Sequence, residues 1–249
     1  MLTPQWRSFG RGVARTAAVT AIAVTVGGFG LSAQAAAAPA GAPSGSEFSA
    51  SDELLRQGDS GPEVRALQER LAELDYWHGG ADGEFDGLTT HAVVALQKAA
   101  GIDRDGLVGP DTRKALDEGA RPEIQGKYNN AVEIDLEHQL LIVVSDGELE
   151  QIFTTSTGSG ETYESEGEER VATTPKGEFT VFREVDGWDH APLGSLYRPK
   201  YFNRGIAVHG YDSVPPYPAS HGCTRVSIPA MDWLWENEAL EQGTPVVVR

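Results

Sequence analysis

The hydrophobic pattern of this chain changes period once, at Arg121-Pro122, and that change decides which kinds of structure it must build. Ahead of the break, apolar residues recur at helical spacing. Val64, Leu67, Leu71 and Leu74 fall on one helical face, with Pro62 in the first turn, where its missing N–H costs nothing. Ala92, Val93 and Leu96 mark a second helix that runs to Gly101. Beyond the break, Val132, Ile134 and Leu136 alternate with Glu133 and Asp135. Leu140 to Val144 is a continuous apolar run, and Asp146-Gly147 is a hairpin signal before Leu149 to Thr155. Phe179 to Phe182, Ile206 to Val208 and Val246 to Val248 predict further strands. One helix is expected over Pro229 to Glu241, with Met231, Leu234 and Trp235 inward. The pattern predicts a compact helical unit followed by a mainly β domain with a short helix.

The helical unit carries an internal echo. Asp82-Gly83-Glu84-Phe85, then Thr89 and Ala92-Val93, is matched 23 residues later by Asp105-Gly106-Leu107-Val108, then Thr112 and Ala115-Leu116. In each copy Asp-Gly makes a tight turn, an apolar residue enters the core, and a Thr near the helix start is placed to cap it.

The first residues read as a targeting segment. Arg7, Arg11 and Arg15 give a positive flank, Thr16 to Leu31 runs without a charge, and Ser32-Ala33-Gln34-Ala35 supplies small residues for cleavage after Ala35. Residues 1–35 are therefore expected to be a secretory leader. A retained membrane anchor is the alternative, which a short run rich in Ala, Gly and Thr suits less well. Residues 36–51, mostly Ala, Pro, Gly and Ser, read as a flexible linker. The formal net charge of −17 argues against a nucleic-acid partner, since a polyanion would be repelled over most of the surface. A single cysteine, Cys223, excludes an internal disulfide, and an unpaired thiol outside the cell is a liability unless it has a task.

That cysteine sits in the chemically richest stretch, His209-Gly210 and then Ser220-His221-Gly222-Cys223-Thr224-Arg225. A free thiol with a pKa of about 8.5 is only a few per cent thiolate at neutral pH. An imidazole within reach can take its proton and later return one to a leaving amine. Gly222 leaves room for a substrate backbone and lets main-chain N–H groups point at a developing oxyanion. Two other readings compete. An inert buried cysteine is disfavoured by small polar neighbours, and a zinc site lacks both a fourth ligand and the usual ligand spacing. On the residues alone, His209 and His221 are equally eligible as the base.

Two resemblances follow from these motifs. Gly58-Asp59-Ser60-Gly61-Pro62-Glu63-Val64, Leu67-Gln68, Asp82-Gly83-Glu84-Phe85, Thr89, Leu96-Gln97 and Asp105-Gly106-Leu107-Val108-Gly109 resemble the small three-helix peptidoglycan-binding domain of bacterial wall hydrolases, here over residues 52–120. His209, Ser220-His221-Gly222-Cys223-Thr224-Arg225, Thr174-Pro175-Lys176-Gly177-Glu178-Phe179 and Ser156-Thr157-Gly158 resemble the L,D-transpeptidase catalytic domain, the YkuD family, over residues 128–249.

The second resemblance implies a β-sandwich or barrel with a short helix. It implies Cys223 as an acyl-forming nucleophile and His209 as its base, oriented by a main-chain carbonyl for which Gly210 is the candidate. His221, Ser220 and Gly222 would shape the pocket and oxyanion site, and Arg225 would fix the loop or hold a carboxylate. Thr174, Pro175 and Gly177 would lie at the substrate. The implied reaction joins peptidoglycan stem peptides by 3→3 crosslinks through a thioester, releasing D-alanine, without metal or cofactor and without a required protein partner. Carbapenem-type inhibitors are expected to acylate the thiol. Hydrolysis of wall peptides, or a catalytically dead wall-binding protein, are the alternatives. The run from Glu161 to Glu169, with five glutamates, reads either as a solvated loop or as a lid.

Overall fold

The computed structural model describes residues 54–165, 167–191 and 193–249, so the expected leader (1–35) and linker (36–51) lie outside the described residues. Three helices open the described chain: α1 (Pro62–Glu73), α2 (Gly87–Ala100) and α3 (Pro110–Asp117). Proline stands in the first turn of α1 and of α3, and Gly101, in the left-handed conformation at φ 66°, stops α2.

The echo within this unit has a different basis from the one expected. Thr89 and Thr112 do not cap their helices; the cap of α2 is Asp86, whose side chain accepts from Thr89 N at 2.8 Å, and α3 has no side-chain cap. Each threonine is instead buried beside a glutamine. The Gln68 amide donates to Asp82 Oδ1 (2.9 Å), Glu84 O (3.0 Å) and Thr89 Oγ1 (3.0 Å), and accepts from Gly83 N (2.8 Å). The Gln97 amide repeats this on Asp105 Oδ1 (2.8 Å), Leu107 O (3.0 Å), Thr112 Oγ1 (3.1 Å) and Gly106 N (2.9 Å). A buried amide costs free energy unless its hydrogen bonds are met, and each glutamine meets its own by closing the following Asp-Gly turn.

The β domain holds β1 (Ala131–Asp135), β2 (Leu140–Ser145), β3 (Glu148–Thr154), β4 (Thr162–Ser165), β5 (Glu168–Val171), β6 (Gly177–Thr180), β7 (Arg183–Glu184), β8 (Trp188–Ala191), β9 (Gly194–Asn203), β10 (Ile206–Tyr211), β11 (Thr224–Ser227), the helix α4 (Ile228–Glu236) and β12 (Pro245–Val248). One five-stranded sheet runs β3-β2-β1-β12-β6, with β1 and β12 parallel. A second runs β11-β10-β9-β7, with β8 also on β9 and with β10 and β11 parallel. β4 and β5 form a separate hairpin. The helix α4 ends at Glu236, earlier than its apolar pattern suggests, because Glu238 turns left-handed at φ 54° and redirects Leu240 into the core.

The apolar run Leu140–Val144 is explained by burial on both faces. Leu141 and Val143 join Val132, Ile134, Val208, Val226, Met231 and Leu234 in the core between the sheets and α4. Leu140, Ile142 and Val144, with Ile152, belong instead to the core of the helical unit. Baring those four side chains would cost roughly 6–12 kcal/mol, comparable to a domain's whole stability, so the helical unit is a layer of the fold. Burial on both faces also corrects the expected alternation of β1. Glu133 and Asp135 face no solvent: Glu133 accepts from Gln125 N at 2.8 Å, and both carboxylates meet the guanidinium of Arg249.

Main chain and one ammonium complete the seam. After α1, Asp75 turns at φ 62°, and Trp77 N donates to Ile152 O (3.1 Å) while Ile152 N donates to Asp75 O (2.8 Å), covering the open edge of β3. Lys98 of α2 is fully buried and donates to Gln139 O (2.9 Å), Thr154 Oγ1 (2.7 Å) and Thr155 O (2.9 Å). Three N–H donors find three oxygens, which makes the burial of a lysine tolerable. Among the described residues no helix is long and apolar enough to cross a membrane.

Candidate active site

The parallel pairing of β10 with β11 sets His209 opposite Arg225 and Val208 opposite Thr224, so the chain delivers Cys223 to the entry of β11 beside the strand that carries His209. The loop between those strands is clamped by the segment after β3. Ala219 N and Ser220 N both donate to Thr157 O (3.0 and 2.9 Å), Ser159 N donates to Ser220 O (2.9 Å), and Ser156 exchanges main-chain bonds with Arg225 (3.2 and 2.9 Å). Gly158 is required here, because a Cβ would stand 2.4 Å from Ala172 O and 2.8 Å from Thr174 N.

Ser220 folds the motif locally. Its Oγ accepts from Gly222 N (3.0 Å) and donates to Cys223 O (2.5 Å). Gly222 has φ 139°, and its carbonyl accepts a 2.6 Å bond from Thr174 Oγ1, which in turn accepts from Gly158 N at 3.0 Å. The N–H of Gly222 is thus already engaged by Ser220.

His209 is 4% exposed, and its Nδ1 lies 2.9 Å from Gly210 O. A carbonyl only accepts, so Nδ1 carries the proton and Nε2 keeps a lone pair. Burial, helped by the charge of Arg225, lowers the His209 pKa to about 4, which leaves a neutral imidazole at pH 7. Burial pushes the Cys223 thiol up, while a hydrogen bond with the Ala207 main chain and the charge of Arg225 act the other way. The thiol, half-buried, lies 3.8 Å from Gly205 O, and no hydrogen bond joins it to either imidazole among the described residues. His221 is exposed, its ring edge-on to Tyr163 at 4.7 Å.

Cys223, His209, His221 and Arg225 share the wall of one cavity of about 720 Å³. Pro175 is on that wall. Thr174 sits beneath it, bonded to the motif loop, and Gly177 opens β6 away from the lining. The Glu161–Glu169 run is a β-hairpin edge, since β4 and β5 pair there, and Tyr163 and Ser165 of β4 line the cavity. Tyr163, Tyr211 and Arg204 escape a reading of the sequence. Only the last has a local signal, an arginine in the tight turn Asn203-Arg204-Gly205 between two strands. Among the described residues no group of three or more His, Cys, Asp or Glu side chains is placed to hold a metal.

Comparison with known proteins gives the family of each half. Residues 129–248 match the family model of the YkuD L,D-transpeptidase catalytic domain, and residues 60–116 match that of a putative peptidoglycan binding domain. The crystal structure of an L,D-transpeptidase from Xylanimonas cellulosilytica is 48% identical, covers 80% of this chain and 98% of its own, and superposes with a TM-score of 0.77. Two Bacillus licheniformis proteins, a probable N-acetylmuramoyl-L-alanine amidase and the N-acetylmuramoyl-L-alanine amidase CwlL, are 49% and 51% identical over 70 and 65 residues, 27% and 25% of this chain. The chain spans only about a fifth of those amidases, 20% and 18% of their lengths.

Proposed function

The chain belongs to the YkuD family of L,D-transpeptidases, with a peptidoglycan-binding domain ahead of the catalytic one, and on that premise we propose that it exchanges peptide bonds between wall stems at Cys223. The observation that carries the reading is the Nδ1 contact of His209 with Gly210 O, which reserves Nε2 as a base on the same cavity wall as the thiol.

The resting pair is a neutral thiol beside a neutral imidazole, so the proton moves during attack, with no ion pair formed beforehand. Cys223 Sγ gives its proton to His209 Nε2 and bonds the carbonyl carbon between the diamino acid and the terminal D-alanine of a donor tetrapeptide. With Gly222 N bound to Ser220, the main-chain N–H of Cys223 is the oxyanion donor we assign. The imidazolium returns the proton to the D-alanine nitrogen, the C–N bond breaks, and a thioester remains. The side-chain amine of a second stem then loses a proton to His209, attacks the thioester, and releases the thiol with a 3→3 crosslink formed. A thioester divides one hard amide exchange into two easier steps. A thiol and an imidazole on one cavity wall without a bond between them fit this step, because such contacts tighten when substrate binds.

The protein is placed at the cell wall by this reading, held there by its helical unit, which raises local concentration on a polymer that cannot diffuse. Incubation with a disaccharide tetrapeptide, followed by mass spectrometry, tests it. A dimer lighter by one alanine supports transfer, and tripeptide alone assigns hydrolysis instead. No product, together with no carbapenem adduct lost in Cys223→Ala, leaves a wall-binding protein with an inert site.

A further inference from the structure

In a chain with 37 acidic and 20 basic residues, the described residues of the cavity wall include Arg170, Arg204 and Arg225 and no carboxylate. The three arginines differ in their company. Arg170 lies 3.2 Å from Glu168, and Arg225 stacks on the Tyr211 ring at 4.3 Å. Arg204, in the tight turn between β9 and β10 at φ 50°, is exposed to the cavity and has neither ion-pair nor hydrogen-bond partner among the described residues. An arginine fork without a partner among the described residues, on a wall whose described residues include no acid, suits a carboxylate, which it can bind through two parallel hydrogen bonds.

Its position says which carboxylate. The thiol lies 3.8 Å from the carbonyl of Gly205, so Arg204 is one residue removed from the atom that the sulfur touches. In a donor stem the carboxylate of the leaving residue is likewise one residue beyond the attacked carbonyl, roughly 3.5 Å of chain. We propose that Arg204 receives the free terminal carboxylate of the donor peptide, and so restricts attack to the bond before a chain end. This rests on the acyl-transfer reading above and adds to it the substrate feature that the site selects. An internal peptide bond offers an amide at that place, which cannot neutralise the guanidinium.

The test compares a tetrapeptide donor ending in a free carboxylate with the same donor ending in a carboxamide. The released terminal residue is measured for wild type, Arg204→Gln and Arg204→Lys in the presence of acceptor. The wild type is expected to favour the carboxylate by roughly 10- to 100-fold in kcat/KM, mostly through KM. Arg204→Gln should bring that ratio near one by losing rate on the carboxylate donor alone, and Arg204→Lys should keep part of it. A wild-type ratio retained by Arg204→Gln overturns the assignment, as does equal use of both donors by the wild type. Release from neither donor by the wild type overturns the acyl-transfer reading and this inference together.

Discussion

Thr155 Oγ1 donates a 2.6 Å hydrogen bond to the main-chain carbonyl of Arg225, two residues past the thiol, while the carbonyl of the same threonine receives the ammonium of Lys98 from helix α2 at 2.9 Å. The helical unit therefore reaches the motif loop through one residue of the catalytic domain. Sequence spacing places these three residues far apart, and the seam between the two halves brings them together.

Lys98→Met should lower stability by about 2 kcal/mol. Three oxygens lose a donor, each worth about 1 kcal/mol or more, and relief from burying a charge offsets part of that. Chemical denaturation followed by circular dichroism measures it, and a wild-type midpoint in the variant would refute the role given to this lysine.

Alkylation of Cys223 by iodoacetamide should show no plateau of high reactivity near pH 6. With the imidazole neutral above pH 4 and the thiol pKa raised, the rate should climb only as the pH passes the ordinary thiol range. A pH-independent fast rate between pH 5 and pH 7 would instead reveal a preformed thiolate–imidazolium pair.

Acid should destabilise the fold through His209. Its folded pKa, about 4, lies below its ordinary 6.5, so the unfolded chain binds the extra proton between those values. Its contribution is intact above pH 6.5 and is lost as pH falls towards 4, by about 3 kcal/mol in all. Unfolding free energy against pH for wild type and His209→Gln checks this: the variant should lack that part of the slope.

Gly158→Ala should be far more harmful than Gly87→Ala. The first drives a Cβ to 2.4 Å from Ala172 O under the motif loop, whereas the second meets nothing within 4 Å at the start of α2. Thermal melting points several degrees apart are expected, with Gly87→Ala at or slightly above wild type. Equal melting points would mean that the main chain from Ala172 to Thr174 yields more readily than its packing against Gly158 indicates.

The gathering of the motif residues was legible because they are nearly local: six consecutive residues, Ser220 to Arg225, follow His209 closely, and two adjacent parallel strands are enough to bring them to one cavity. The change of period at Arg121-Pro122 likewise announced helices and then strands. Other features carry no such signal. β4 and β5 have largely exposed, glutamate-rich strands without apolar alternation, so their pairing cannot be read along the chain. Glu133 and Asp135 look like a solvent face until Arg249, at the far end of the chain, closes over them. Gln68 and Gln97 resemble ordinary surface residues, and only the folded turns show what each amide holds. For Arg204 the chain shows only a tight turn, and its meaning comes from the cavity beside it.

The edge of β3 is covered by Tyr76 and Trp77, and the outer face of its sheet is roofed by the three helices. A grip and a blade joined in this way have no hinge between them. On the acyl-transfer reading proposed for Cys223, a wall strand held by the helices would meet the sulfur at one fixed offset and one angle, so new bonds would be reached by letting go and landing elsewhere.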